Sequence, residues 1–229
     1  MDRGLYIAAS GMLAEQIRQD QIANDLANAS TPGYKADRTS QRTFNDLLLA
    51  NSATGATVGP QSTAVQVDKV VTDFGARPLR TTDEPLDFAI LGDGFFAVQT
   101  AKGVRYTRNG QFTLDPQSRL VTAQGDPVLD AGGRTITATD GKVDPRRIGV
   151  YDVTKARKEG DSLLTGTAAG AGTGTVQSGA LESSGADAAR SMVDMIASMR
   201  AFEAGQKVIQ TIDETLGKAV TQVGSVSGS

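Results

Sequence analysis

The sequence predicts an α+β protein, with long N- and C-terminal α-helices pairing in a coiled-coil-like bundle and one central all-β domain. Three observations lead there. All seven prolines lie between Pro32 and Pro145, so neither end of the chain carries a helix breaker. Both ends repeat apolar residues at three- and four-residue steps. Four of the seven phenylalanines and most alternating apolar runs fall between Phe88 and Val153. The boundaries that follow are 1–35 and 184–229 for the helical part, 36–79 for an extended linker or loop, and 80–183 for the β domain with a Gly-rich return loop.

The first helix is expected from Asp2 to about Ala29. Leu5, Ala8, Met12, Ile22, Leu26 and Ala29 recur at helical spacing, with Ala9, Leu13 and Ile17 beside them. Asp2 can cap the first turn. Glu15 and Gln19 interrupt the stripe, which suits a helix lying along a seam better than one in a core. The stretch "NDLANASTPGYK", residues 24–35, then stops it. Pro32 disfavours helical geometry at Thr31, and Thr31-Pro32-Gly33-Tyr34 fits a type II turn with Pro and Gly in the central places. Asn28, Ser30 and Thr31 have short side chains able to bond the turn or the last helical carbonyls.

Residues 46–75 are poorly patterned. After them "PLDFAILGDGFFAVQT", "GVRYTRNGQFTLD", "SRLVTAQGDPVLD" and "RRIGVYDV" read as short strands rich in Val, Ile, Phe and Tyr. Gly92–Gly94, Asp115–Ser118 and Asp130–Gly133 are the natural turns, and Asn109-Gly110 is a further hairpin candidate behind a very short strand. Residues 163–182 hold one charge and many glycines, and predict a flexible loop. The last helix follows, with Met195, Met199, Phe202, Ile209, Ile212, Leu216 and Val223 at three- and four-residue steps. Ser184 and Asp187 form a capping-box-like start and Gly224 a stop. Roughly 35 helical residues would extend about 50 Å at 1.5 Å each, so the helix has to pack beyond its own domain or beside its N-terminal counterpart.

Composition narrows the chemistry. The chain has no histidine and no cysteine, which removes imidazole acid-base chemistry, Ser-His-Asp and Cys-His nucleophiles, disulfides and thiolate metal sites. A net charge of -3 offers no clustered basic face for nucleic acid. No apolar run approaches the roughly 20 residues that span a bilayer, so direct membrane insertion is not expected. The N-terminus lacks the pattern of a cleaved signal peptide.

The remaining site candidates are weak. Gly170–Gly174, "GAGTG", has no βα unit before it and no Lys-Ser/Thr after it, so it is a poor phosphate loop. Asp140 and Asp144 lack the later carboxylates of a calcium loop. Asp83, Glu84, Asp87 and Asp93 could furnish two carboxyls for glycoside chemistry, yet acidic residues beside Pro85, Gly92 and Gly94 usually form turns. Asn28-Ala29-Ser30 is a formal glycosylation acceptor at a helix end. Met192, Met195 and Met199 fall within eight residues of one helix and suit a helix-to-helix packing surface. The sequence points to no catalytic residue, no metal ligand and no cofactor.

The two ends and the middle together resemble a known family. "LYIAASGMLAEQIRQDQIANDLANASTPGYKAD" resembles the N-terminal signature of bacterial flagellar rod and hook proteins, Asn-Asn-(Leu/Ile)-Ala-Asn-x-x-Thr-x-Gly-(Phe/Tyr)-Lys. Asn24, Leu26, Ala27, Asn28, Thr31, Gly33, Tyr34 and Lys35 match it, and Asp25 departs from the second Asn. The tail resembles the family's C-terminal signature through Leu181, Glu182, Ser184, Met195, Ile196, Arg200, Ala201, Phe202 and Glu203. "LDFAILGDGFFAVQ" and "YTRNGQFTLDPQSRLVTAQGDPVL" resemble its central domain. A single β unit and the compact length resemble the FlgG/FlgF class of rod subunits within that family, with both types open.

The resemblance implies a structural, non-enzymatic subunit of the basal-body rod, which carries torque from motor to hook. It implies a helical homo-oligomer that also contacts other flagellar rod and hook proteins. Export would run through the flagellar type III apparatus without a cleaved signal, for which Phe44 and Leu48 have the Phe-x-x-x-aliphatic form of a proposed export signal. The terminal helices would form an inner tube, with Leu5, Met12, Leu13, Ile22 and Leu26 meeting Met195, Met199, Phe202, Ile209 and Leu216. Asn24, Asn28, Thr31, Pro32, Gly33 and Tyr34 would build the corner where the chain turns outward. The rival reading is a secreted β-rich binding module or adhesin with a helical oligomerisation stalk.

Overall fold

The computed structural model describes the backbone of residues 2–50, 57–160 and 162–226, and the side chains of 4–39, 70–160 and 162–221. Two compact units emerge, one of Met1–Leu26, Asp37–Val71 and Ala188–Ser229, the other of Ala27–Ala36 and Thr72–Asp187.

The first unit holds helices α1 (Asp2–Ala27) and α2 (Ala188–Val226) with strands β1 (Asp37–Ala50) and β2 (Thr57–Thr72). Along α2 the shielded positions after Ala188 are Ser191, Met195, Ser198, Phe202, Gly205, Ile209, Ile212 and Leu216, joined off the pattern by Asp194. Steps of four and three alternate through that series, which is a heptad pattern. Ser198 Oγ donates to Glu15 Oε2 at 2.6 Å, a Cβ on Gly205 would stand 2.8 Å from Met12 Cγ, and one on Gly4 would stand 3.4 Å from Ile212 Cδ1. As numbers rise along α1 they fall along α2, so the helices meet antiparallel at these points.

The helix ends differ from expectation. α1 stops at Ala27 rather than Ala29, and α2 begins at Ala188 rather than at Ser184. Ser184 is occupied elsewhere, because its hydroxyl donates to Asn28 O and accepts from Ala186 N. Gly224 does not end α2, which runs on to Val226. One glycine costs a helix only about 1 kcal/mol, too little to break a long one. The Asp2 side chain lies outside the described residues. Residues 36–79, read from sequence as extended linker, are largely the paired strands β1 and β2.

In the second unit β3 (Leu79–Thr81), β4 (Phe88–Leu91), β5 (Phe95–Thr100), β6 (Gly103–Thr107), β7 (Phe112–Leu114), β8 (Leu120–Thr122), β9 (Val150–Glu159), β10 (Leu163–Ala171), β11 (Thr175–Ser178) and β12 (Ala180–Glu182) follow in order. Strands β10, β6, β5 and β9 close into a small antiparallel barrel. Antiparallel pairs β4–β11, β3–β12 and β7–β8 complete the unit. Strand β5 is covered on both faces: Phe96 and Val98 join Phe88, Phe112, Leu120 and Ile136 in one cluster, while Phe95 and Ala97 join Tyr106, Leu129 and Leu164 in another. That double burial explains why "FFAV" is a continuous apolar run instead of an alternating one. Phe96 meets Phe112 edge-on at 5.3 Å between centroids.

Two turn readings need correction. Asn109-Gly110 does not join a hairpin, since β6 pairs with β5 and β10 whereas β7 pairs with β8. Asn109 instead bends the chain locally, its Oδ1 accepting from Gln111 N at 3.0 Å. The expected flexible loop at 163–182 is strand through most of its length. Its glycines serve close approach: a Cβ on Gly174 would collide with Ile90, and one on Gly172 would come within 2.7 Å of Val150 Cγ1. The "GAGTG" stretch is thus packed against strands and does not form a phosphate cradle.

Candidate functional site

The motif residues 28–35 and 180–185 come together in the β unit. The helix stop is built from Asn28, whose carbonyl accepts from Thr31 N at 3.0 Å and whose Oδ1 accepts from Thr31 Oγ1 at 3.1 Å. Gly33 has φ of 66°, a left-handed conformation that glycine adopts without strain, and Tyr34 N donates back to Thr31 O at 3.3 Å. Gly33 has a second reason to be glycine. An added Cβ would collide with the Arg108 backbone.

From this turn the chain locks to the segment before α2. Gly33 N donates to Glu182 O at 2.9 Å, Gly185 N to Tyr34 O at 2.8 Å, and Ser184 Oγ to Asn28 O at 2.8 Å. Tyr34 is fully buried, with Lys158 Nζ 3.9 Å above its ring centroid. Strand β12 holds the partner segment in place by pairing Ala180, Leu181 and Glu182 with Thr81, Arg80 and Leu79.

An ionic cluster lies at the centre. Glu182, only 1% exposed, accepts from Lys35 Nζ at 2.7 Å and Arg77 N at 3.2 Å on one oxygen, and from Arg108 Nη1 at 3.0 Å on the other. Lys35 Nζ also donates to Gly75 O at 2.8 Å, and Arg108 Nη2 to Gly92 O at 2.7 Å. The Arg108 guanidinium sits 5.3 Å from the Phe95 ring centroid, while its Nε has no partner. Burial pushes the Lys35 ammonium below its ordinary pKa, against the opposing pull of Glu182. Lys35, Arg108 and Glu182 are each at most 3% exposed, so one carboxylate serves two buried cations.

Such a cluster is closed off from solvent. It carries no exposed nucleophile or base, and its chemistry is that of a joint: removing the shared anion would strand two charges in a medium that solvates them poorly. Among the described residues no group of three or more His, Cys, Asp or Glu side chains is placed to hold a metal. Of the carboxylates considered for glycoside chemistry, Asp83, Glu84 and Asp93 are exposed, and Asp87 closes a turn through its N–H to Glu84 O.

The helical residues singled out by sequence divide into two sets. Met195, Phe202, Ile209 and Leu216 fall in the shielded heptad series of α2, and Leu5, Met12, Ile22 and Leu26 are shielded on α1. Leu13 and Met199 are 59% and 51% exposed, as are neighbouring Tyr6 and Ile196 at 64% and 53%. Asn24 is on the exposed side of α1 and Pro32 is half-buried in the turn. The Phe44 and Leu48 side chains lie outside the described residues. Sequence reasoning missed Ser198 and Gly205, which complete the heptad series between apolar neighbours, and it missed the ionic cluster, since nothing in a sequence marks Arg108 as buried.

Similarity to known proteins covers the same regions. Residues 5–35 match the family described as flagella basal body rod protein, residues 89–153 the flagellar hook protein FlgE/F/G D1 domain, and residues 177–222 the flagellar basal body rod FlgEFG protein C-terminal family. The chain is 31% identical to the flagellar hook-basal body complex protein FlhO of Bacillus subtilis, over 99% of this chain and 100% of that protein. It is 34% identical to the flagellar basal-body rod protein FlgG of Bacillus subtilis, over 96% and 98%. It is 36% identical to the flagellar basal-body rod protein FlgF of Escherichia coli, over 96% and 97%.

Proposed function

Because the chain belongs to the flagellar basal-body rod FlgEFG family and is a structural subunit of that rod, we propose that its buried corner joins the chain's two ends to a load-bearing β unit. The observation that carries this is the origin of the ionic cluster. Lys35 comes from the first family-matched segment, Arg108 from the second and Glu182 from the third. A joint made of all three transmits force between them without any moving chemistry.

The subunit works in the flagellar basal body alongside other flagellar components. In the finer reading, α1 and α2 form a coiled-coil-like pair in an inner tube. Head-to-tail contacts that do not close build a helical rod, in the distal position of the shaft, which carries torque from motor to hook. The exposed apolar residues Leu13 and Met199 then belong to contacts between copies, each buried methylene contributing about 0.8 kcal/mol. Export proceeds through the type III apparatus without a cleaved signal, with Phe44 and Leu48 as its recognition pair. The comparisons lend no support to the rival reading of a secreted binding module or adhesin with a helical stalk.

Deleting the gene and restoring it with a labelled copy tests the proposal. Basal bodies purified from the restored strain should carry the label along the shaft, and the deletion strain should lack hook and filament. A deletion strain that still assembles a complete hook and filament would overturn the rod assignment. Loss of export on Phe44→Ala with Leu48→Ala separates the signal reading from the assembly one.

A further inference from the structure

Within the helical unit, the heptad series on α2 is not uniformly apolar. Met195, Phe202, Ile209 and Leu216 form one seven-residue set, whereas the alternate set runs through Ser191, Ser198 and Gly205 before it becomes apolar at Ile212. Ser198 and Gly205 have specific partners on α1. Ser198 is 1% exposed, and its hydroxyl lies 2.6 Å from Glu15 Oε2 and 3.3 Å from Glu15 O. Gly205 lies opposite Met12, where a Cβ would stand 2.8 Å from Met12 Cγ. With the Gly4–Ile212 contact, these contacts advance from Glu15 to Gly4 on α1 as they advance from Ser198 to Ile212 on α2, in one antiparallel alignment.

We propose that the Ser198–Glu15 hydrogen bond and the Gly205–Met12 fit fix a single register of the α1–α2 pair, excluding slips of seven residues that the apolar heptads alone would tolerate. This rests on the reading that the two helices pair in the rod subunit. A slip one way sets Glu15 opposite Gly205, which has no hydroxyl to take the place of the Ser198 donor, and sets Met12 against Ile212, where the space is already filled. The opposite slip sets Glu15 opposite Ser191, which again offers a hydroxyl, so in that direction the glycine decides: Met12 meets Ser198, whose Cβ stands where the observed register has none. A polar residue in a largely apolar seam specifies register in this way at some cost in stability. The glycine adds a steric term of the same sense.

The cysteine-free sequence makes the test clean, because engineered thiols report only on themselves. The full-length chain would carry either Gly4→Cys with Ile212→Cys, the observed register, or Gly4→Cys with Ala219→Cys, the register slipped by seven residues. Intramolecular disulfide yield is read by mass spectrometry after mild oxidation. The slipped pair should form at about one-tenth the yield of the first or less, a preference of about 1.4 kcal/mol. With Ser198→Leu and Gly205→Leu added, the two yields should come within about threefold. A slipped yield that stays low in that background refutes the register role while leaving helix pairing intact. If that background cross-links at neither position, the two residues govern affinity instead of register, and the proposal fails. No cross-link in either parent pair overturns the pairing itself.

Discussion

Glu182→Gln is the sharpest probe of the buried corner. The carboxylate is 1% exposed and accepts from Lys35, Arg108 and the Arg77 backbone, and the amide that replaces it keeps the shape but removes the charge that, among the described residues, pairs with Lys35 and Arg108. Breaking a buried pair by removing one partner costs about 3–5 kcal/mol. The amide oxygen still accepts one of these hydrogen bonds, which favours the lower end. About 3 kcal/mol shifts the unfolding equilibrium by more than about a hundredfold and lowers Tm by roughly 6–12 °C in a chain of this size. Lys35→Met should cost less, under about 2 kcal/mol, because Glu182 keeps Arg108 and because burial already works against the ammonium. Urea unfolding followed by tyrosine fluorescence suits the measurement, since the chain has no tryptophan and Tyr34, Tyr106 and Tyr151 all belong to the β unit. Should Glu182→Gln fall within about 1 kcal/mol of the parent, or Lys35→Met cost as much, the shared-counterion reasoning is wrong.

Three further outcomes follow from the same structure. Gly33 and Gly141 have similar φ, 66° and 71°, but only Gly33 has backbone where a Cβ would go. Gly141→Ala should therefore lose about 1–2 kcal/mol in denaturant titrations, and Gly33→Ala clearly more; equal losses would mean that the corner relaxes freely. Phe202 is half-buried in the single chain, so Phe202→Ala should cost about half of the 3–5 kcal/mol of a fully buried site, with a larger effect on swimming if assembly covers it. Normal swimming would remove Phe202 from the assembly contacts. In acid, Asp130 is held below its ordinary value of 3.8 by the Arg134 N–H, and Glu159 below 4.5 by hydrogen bonds from Arg105 and then Lys102. Their folded pKa values are depressed, so their stabilisation is full above those ordinary values and is lost as pH falls through the folded ones. The urea midpoint should drop there, and Arg105→Met should flatten part of the drop; an unchanged pH profile in that variant contradicts the assignment to Glu159.

Local pattern was enough for much of the architecture. Helical spacing at both ends, the Pro-Gly turn after α1 and the aromatic strands from Phe88 to Val153 are properties of neighbouring residues, and periodicity reports them directly. The 4–3 alternation on α2 was half visible, since Met195, Phe202, Ile209 and Leu216 show it while Ser198 and Gly205 conceal it behind polar and small side chains. Glycine content misled at 163–182, where a composition typical of loops serves close strand packing.

Tertiary structure alone decided where the corner belongs. By sequence, residues 28–35 read as the end of a helical domain, yet Ala27–Ala36 packs with Thr72–Asp187, and a Cβ on Gly33 would meet Arg108. The buried cluster likewise joins Lys35 to Glu182 across 147 positions and Arg108 to Glu182 across 74. No local rule predicts such pairings, because the energy of a charge depends on what surrounds it after folding. Lysine, arginine and glutamate are solvated surface residues by default, and only the closed β unit makes each of them require the other two.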